Sequence, residues 1–291
     1  MSVTQDKTAR APFLSVIVAE PATRARRGTR ARGFRRAVLP PAIALVAFVA
    51  LWQAIVSIFE IPPYLMPGPG DFAVAIGERL VEMLPATWVT IQESYLGFLL
   101  AAVSGFLAAL IMARWDVAER ALYPYLVILQ TIPIIAVAPL FVVWFGAGIG
   151  TNALIAAMIA VFPVAANGLQ GLKSTDRNLV QLYRMAGANR FIQLFSLRVP
   201  SGLPQLLTGL RIAAGSSVIG AIVGEFVAGI GGGDGGLGYV ITLNATQLRT
   251  ADLFVGVLLA SVVSLVLFGA VALIERQLLK RWHESALPEE E

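Results

Sequence analysis

Six stretches of this chain stay apolar for about 20 residues, the length a helix needs to cross about 30 Å of hydrocarbon. They run roughly over Val38–Phe59, Ser94–Ala113, Leu122–Phe145, Asn152–Leu172, Gln205–Ala228 and Leu253–Ile274. Only 14% of the residues are charged, against about 25% in a soluble domain. The chain therefore reads as an all-α membrane protein with six transmembrane helices.

The basic residues orient it. With the N-terminus inside, nineteen of the 22 Lys and Arg fall on the cytoplasmic side. The external segments hold only Arg79 and Arg249, and Arg211 sits within the fifth span. This is the positive-inside asymmetry, and both termini are expected in the cytoplasm. Residues 1–37 are polar and carry seven Arg between Arg24 and Arg36. They read as a disordered basic tail held near anionic membrane lipid. A nucleic-acid arm would need a folded reader beside it; none is visible, so no nucleic-acid partner is expected. A twin-arginine leader is a poor fit, because the apolar run that follows is too long and lacks a convincing cleavage site. Residues 38–284 form the membrane domain, and 285–291 are an acidic tail.

Several chemistries are excluded. Cys is absent and His283 is the single His, which removes disulfides, thiolate and His-cluster metal sites and makes a His-based triad untenable. No catalytic residue, metal ligand or cofactor site is expected in this chain. "GDGGLG" (Gly233–Gly238) matches a dinucleotide fingerprint but follows a span rather than a strand. It reads as an external turn, with "GLGYVI" beginning a re-entrant or interfacial segment. "GLQGLKS" (Gly168–Ser174) approaches a phosphate-binding loop, but Leu172 separates Gly171 from Lys173 and the pattern fails.

In the first external segment, Pro67–Gly70 has turn chemistry and Asp71 can N-cap a helix over Phe72–Met83. Phe72, Ile76, Leu80 and Met83 share one face, as in an interfacial helix. Span two repeats a small residue every four positions, at Gly97, Ala101, Gly105, Ala109 and Ala113. Span five does so at Gly209, Ala213, Ser217 and Ala221, with Gly220, Gly224 and Ala228 beside them. Such stripes let backbones approach closely, either within the chain, in a dimer or along a pathway. Pro133 and Pro139 in span three free the carbonyls of Leu129 and Ile135, and Pro163 in span four frees that of Ile159. Freed carbonyls must face protein or water. Gln130, Thr131, Pro133, Asn167, Ser217, Gly220 and Glu225 are the candidate pathway residues. Glu225, the one carboxylate within the later spans, falls near the external end of span five. It reads as a headgroup-level residue or as an outer-gate or docking contact.

Between spans four and five, residues 173–204 break the apolar pattern. Thr175 or Asp176 can cap a helix from Arg177, with Leu179, Leu182, Tyr183 and Ala186 on one face. Gly187 stands where a left-handed residue ends a helix. Asn189 can cap a second helix, with Phe191, Phe195 and Val199 on one side and Pro200 at its end. Such a loop suits a lipid surface or a partner's groove equally.

This segment resembles the cytoplasmic loop of permease subunits of binding-protein-dependent ATP-binding-cassette (ABC) importers. The family pattern is E-A-A-x-x-x-G, nine residues, then I-x-L-P. Gly187 and Pro200 match it, Leu197 and Val199 replace the apolar pair, and Gln181, Leu182 and Tyr183 stand in place of E-A-A. "QTIPIIAVAPLFVVWFG", "GLRIAAGSSVIGAIVGEF" and "GLGYVI" are similar to the nitrate, taurine and aliphatic sulfonate branch. Similar permeases serve riboflavin or pyrimidine precursors. The resemblance implies a type I importer permease fold in a bacterial inner membrane. It implies docking through Gln181, Arg184, Gly187, Ala188, Asn189, Arg190, Phe191 and Pro200 onto two copies of a separate ATPase that holds ATP and Mg. It further implies a periplasmic or lipid-anchored solute-binding protein and a second permease copy, in a homodimer. A stand-alone secondary transporter would instead need mid-membrane coupling-ion residues, and a membrane-embedded enzyme a nucleophile–base set or metal cluster.

Overall fold

A computed structural model describes residues 26–228 and 235–280, and the described part contains helices and no strands. Residues 1–25 of the basic tail, the acidic tail 285–291 and the first part of "GDGGLG" lie outside the described residues. The chain divides into two units, residues 1–54 and 55–291.

Helix α1 (Arg26–Ile58) begins in the first unit, twelve residues before the expected span. Extending an existing helix adds a hydrogen bond per residue, and Arg is a good helix former.

The second unit carries the remaining helices. These are α2 (Pro69–Arg79), α3 (Leu84–Arg114), α4 (Asp116–Thr131), α5 (Ile134–Phe145), α6 (Ile149–Lys173), α7 (Arg177–Met185), α8 (Arg190–Gln193), α9 (Val199–Ala228), α10 (Leu237–Thr246) and α11 (Thr250–Lys280). Among the described residues, five continuous segments are long and apolar enough to span. The pair α4 and α5 is apolar and long enough only when taken together, bent by 99° at its break, as a broken span or a re-entrant loop.

That break corrects the third expected span. Pro133 does not lie inside a kinked helix; it ends one and starts another. A proline forces the preceding residue out of the helical region. Ile132 accordingly has φ −63° and ψ 127°, while the Thr131 hydroxyl donates to the Ile128 carbonyl at 2.9 Å.

Helix α6 is the centre of this unit, packed against both α3 and α9. Both small-residue stripes face it. A Cβ on Gly97 would lie 2.5 Å from Ala156 Cβ, and one on Gly220 would lie 2.5 Å from Ala156 Cα. Ala101, Ala109, Ala213 and Ala221 are fully buried. The stripes therefore serve close packing within one chain, which is how helices associate where lipid offers no hydrophobic gain.

Helix α2 starts three residues earlier than expected. Pro69 takes the first helical position, for which its fixed φ is suited, and Gly68 becomes the cap residue. Asp71 is then the third helical residue, and its carboxylate accepts from the Gly68 N–H at 3.0 Å. The face bearing Phe72, Ile76 and Leu80 packs on Leu237, Val255 and Leu259, not on lipid alone. Phe72 meets Phe254 edge to face, ring centroids 6.1 Å apart. Arg79 bridges Glu82 at 2.8 Å and Asp252 of α11 at 3.6 Å.

Candidate functional site

The segment between α6 and α9 is a preformed helical loop. Asp176 accepts from the Asn178 N–H at 2.7 Å and starts α7, satisfying one of the unpaired N–H groups at a helix start. At the other end, the Ala188 N–H donates to the Tyr183 carbonyl at 2.9 Å. Gly187 has φ +75°, the left-handed geometry that such a C-terminal closure needs and that glycine alone adopts without cost. Asn189 then caps α8, its Oδ1 accepting from the Ile192 N–H at 2.8 Å. The helix–bend–helix arrangement and its Asp176 and Asn189 caps match expectation.

The exit from the loop differs. Pro200 does not end the second helix; it stands in the first turn of α9, and Arg190–Ala228 runs as one helical segment. Between α8 and α9 lies one π turn, Leu194–Arg198, in which the Val199 N–H reaches the Leu194 carbonyl. A π turn already widens the ladder, so the missing N–H of Pro200 is absorbed without a break. Arg198 within this turn donates to the Ala113 carbonyl at the end of α3, at 3.3 Å. Gln193, unremarked in the sequence, is buried and donates to the Ala188 carbonyl at 2.8 Å. The base of the loop is closed by Gly171 and Gly202, where a Cβ on Gly202 would lie 2.6 Å from the Gly171 carbonyl carbon.

What the loop presents outward is mixed. Leu182, Met185 and Phe191 are exposed at 55%, 81% and 63%, and Phe191 packs against Phe195 in a tilted arrangement with ring centroids 4.6 Å apart. Gln181, Gly187, Arg184 and Arg190 are exposed, and Ala188 is half-buried. Arg114, Arg184, Arg190 and Arg198 surround a cavity of about 140 Å³ with Asp116 as the one carboxylate in its wall. Lys173 pairs with Glu119. Gly168–Lys173 lie within α6, so the near-match to a phosphate loop is helix, with Gly171 turned against Gly202.

The pathway candidates do not share one wall. Gln130, Thr131 and Pro133 are exposed at the α4–α5 break. Asn167 is half-buried, and its amide donates to the Pro163 carbonyl at 2.8 Å. Ser217 and Gly220 are buried in the α9 packing face, and the Ser217 hydroxyl donates to the Ala214 carbonyl at 2.9 Å.

Glu225 is buried within the helix bundle and fully hydrogen-bonded. It is 2% exposed. Its Oε1 accepts from Thr90 Oγ1 at 2.6 Å and its Oε2 accepts from the Gly238 N–H at the start of α10. Thr90 Oγ1 in turn accepts from the Leu237 N–H at 2.9 Å. The carboxylate therefore caps α10, where the helix dipole favours negative charge. Beside it lies Glu93, fully buried on α3, its Oε1 accepting from Asn152 Nδ2 at 2.8 Å. The expected second span, Ser94–Ala113, starts one residue after Glu93, whereas α3 begins at Leu84. The signal for it is the run of Trp88, Val89 and Ile91 around Thr90, which extends the apolar helix back to Leu84.

Residues 101–281 match the family of binding-protein-dependent transport system inner membrane components. The chain is similar to the formylaminopyrimidine transport permease protein ThiX of Halalkalibacterium halodurans, at 36% identity over 83% of this chain and 95% of the relative. It is 30% identical to the putative aliphatic sulfonates transport permease protein SsuC of Bacillus subtilis, over 91% of this chain and 93% of the relative. A chain of the inward-facing MetNI methionine ABC transporter superposes with a TM-score of 0.56 at 21% identity, covering 67% of this chain and 95% of that one. The fold is thus the type I importer permease fold, and the chain belongs to the binding-protein-dependent transport system inner membrane component family, the membrane permeases of ABC importers.

Proposed function

We propose that this chain is the translocating subunit of an ATP-driven importer and that residues 173–204 couple it to a separate ATPase. The observation that carries this reading is the loop itself. Asp176, Gly187 and Asn189 satisfy its backbone internally, while Leu182, Met185 and Phe191 stay exposed beside Arg184 and Arg190. A rigid, capped, part-apolar projection suits insertion in a partner's groove. In this reading both termini and the loop are cytoplasmic, and two ATPase copies hold ATP and Mg. A periplasmic or lipid-anchored binding protein delivers solute at the opposite face, and a second copy of this chain completes the pathway. No cofactor belongs to this chain.

For the solute, a small anion of the nitrate, taurine or sulfonate kind is one reading. The other, a pyrimidine precursor or riboflavin, is favoured by the higher identity to the formylaminopyrimidine permease than to the sulfonate one.

The coupling role is tested with Gly187→Pro. Proline fixes φ near −65°, against the +75° found here. The variant is expected to insert in the membrane and lose co-purification with the ATPase. Unchanged co-purification would contradict the role.

A further inference from the structure

Glu93 on α3 and Glu225 on α9 adjoin each other in the buried corner where α3, α6, α9 and α10 meet. Their hydrogen bonding is unequal. Both oxygens of Glu225 accept bonds, from Thr90 and from Gly238. Glu93 Oε1 accepts from Asn152 Nδ2, but Glu93 Oε2 has no partner. Asn152 Oδ1 on the facing side chain also has none. These two orphaned oxygens belong to groups already joined by one hydrogen bond.

An orphaned buried oxygen is costly, and a second carboxylate charge beside the first is costlier in a low-dielectric interior. No cation relieves it. Among the described residues the ion pairs that involve the spanning helices are Arg211 with Glu275, Lys173 with Glu119 and Arg79 with Asp252, and α10 carries no charged side chain. Among the described residues no group of three or more His, Asp or Glu side chains could hold a metal ion. A Cβ on Gly236 would collide with Glu225 Oε1, and one on Gly238 would lie 2.9 Å from its Cβ. Two cavities lie at the other end of α3, around Ala113 and Arg198.

We infer that this corner is a proton-binding site, in which one proton sits on Glu93 Oε2 and is donated to Asn152 Oδ1. A protonated carboxyl is a donor and an acceptor at once. It closes a cyclic acid–amide pair with Asn152, satisfies both orphaned oxygens with one proton taken from solvent, and leaves the single negative charge on Glu225 for the α10 N-terminus. The site is a clamp across four helices. Losing the proton sets two carboxylates side by side and removes one of the two bonds between Glu93 on α3 and Asn152 on α6, leaving only the amide N–H bond to Oε1. The inference stands independently of the coupling role proposed for the loop.

The test is infrared spectroscopy on the full chain in lipid nanodiscs at neutral pH, with thermal unfolding alongside. The expected result is a carbonyl stretch of a protonated carboxylic acid that Glu93→Gln abolishes and Glu225→Gln retains. Gln keeps one donor and one acceptor in place, so Glu93→Gln is expected to hold its melting temperature while Glu93→Ala loses stability. Absence of the band in the native chain, its survival in Glu93→Gln, or a Glu93→Gln chain that fails to fold or melts with Glu93→Ala would each overturn the inference.

Discussion

The carboxylate of Glu225, near the end of α9, accepts a hydrogen bond from the backbone N–H of Gly238 in the first turn of α10. Thirteen residues separate the two. The contact fastens the short helix that follows span five onto the bundle, and Thr90 of α3 completes it from the opposite side.

Thr90 is the first place to test this corner. Its hydroxyl both donates to Glu225 and accepts from Leu237, so Thr90→Val strands two buried groups while keeping side-chain shape. Hydrogen bonds between membrane helices are individually weak, and buried groups left unpaired cost more. We expect Thr90→Val to destabilise the protein by about 1–2 kcal/mol. Thr87→Val, which removes only a bond to the Met83 carbonyl of the same helix, is expected to cost clearly less. Unfolding in detergent measures both.

The small-residue stripes make an opposite pair of predictions. Gly220 faces Ala156 backbone, which cannot yield, so Gly220→Ala is expected to cost about 1–3 kcal/mol through overpacking. Gly77 on α2 has open space around its Cα, so Gly77→Ala is expected to stabilise by up to about 1 kcal/mol through helix propensity. Equal effects in thermal unfolding would contradict the packing described for α6 and α9.

The sequence made much of this legible, and its gaps have physical causes. Gly97, Ala101, Gly105 and Ala109 recur every four residues because that is the spacing of one helix face, and this face is the one that meets α6. Asp176, Gly187 and Asn189 were readable because cap chemistry is local. Non-local arrangements were not. Pro133 looks the same in a kink and in a 99° break, and only tertiary packing chooses between them. Pro200 looks like a helix end until the preceding π turn is seen. Glu93 lies just outside the expected span two, and its hydrogen-bond partner Asn152 is 59 residues away, which no local pattern shows. Gln130 and Ser217 share a polar character but not a location.

The two caps of the loop predict a separable defect. Asp176→Ala and Asn189→Ala each remove one capping bond, worth about 0.5–2 kcal/mol to the local helix. Because α7 and α8 lie outside the buried bundle core, global melting is expected to change little. Stimulation of the partner ATPase by this chain is expected to fall, most in the double variant. An unchanged stimulation with both caps removed would show that the loop's rigidity is irrelevant to coupling.

The central claim is that this chain moves solute only when driven by a separate ATPase through the loop at Gly187. Its most direct test is uptake into proteoliposomes holding the purified chain, with and without the ATPase and the solute-binding protein, using a formylaminopyrimidine, riboflavin, taurine and an aliphatic sulfonate as solutes. The account predicts uptake of at least one solute that requires ATP, the ATPase and the binding protein together, and no uptake by the chain alone. ATP-independent uptake by the chain alone would contradict it.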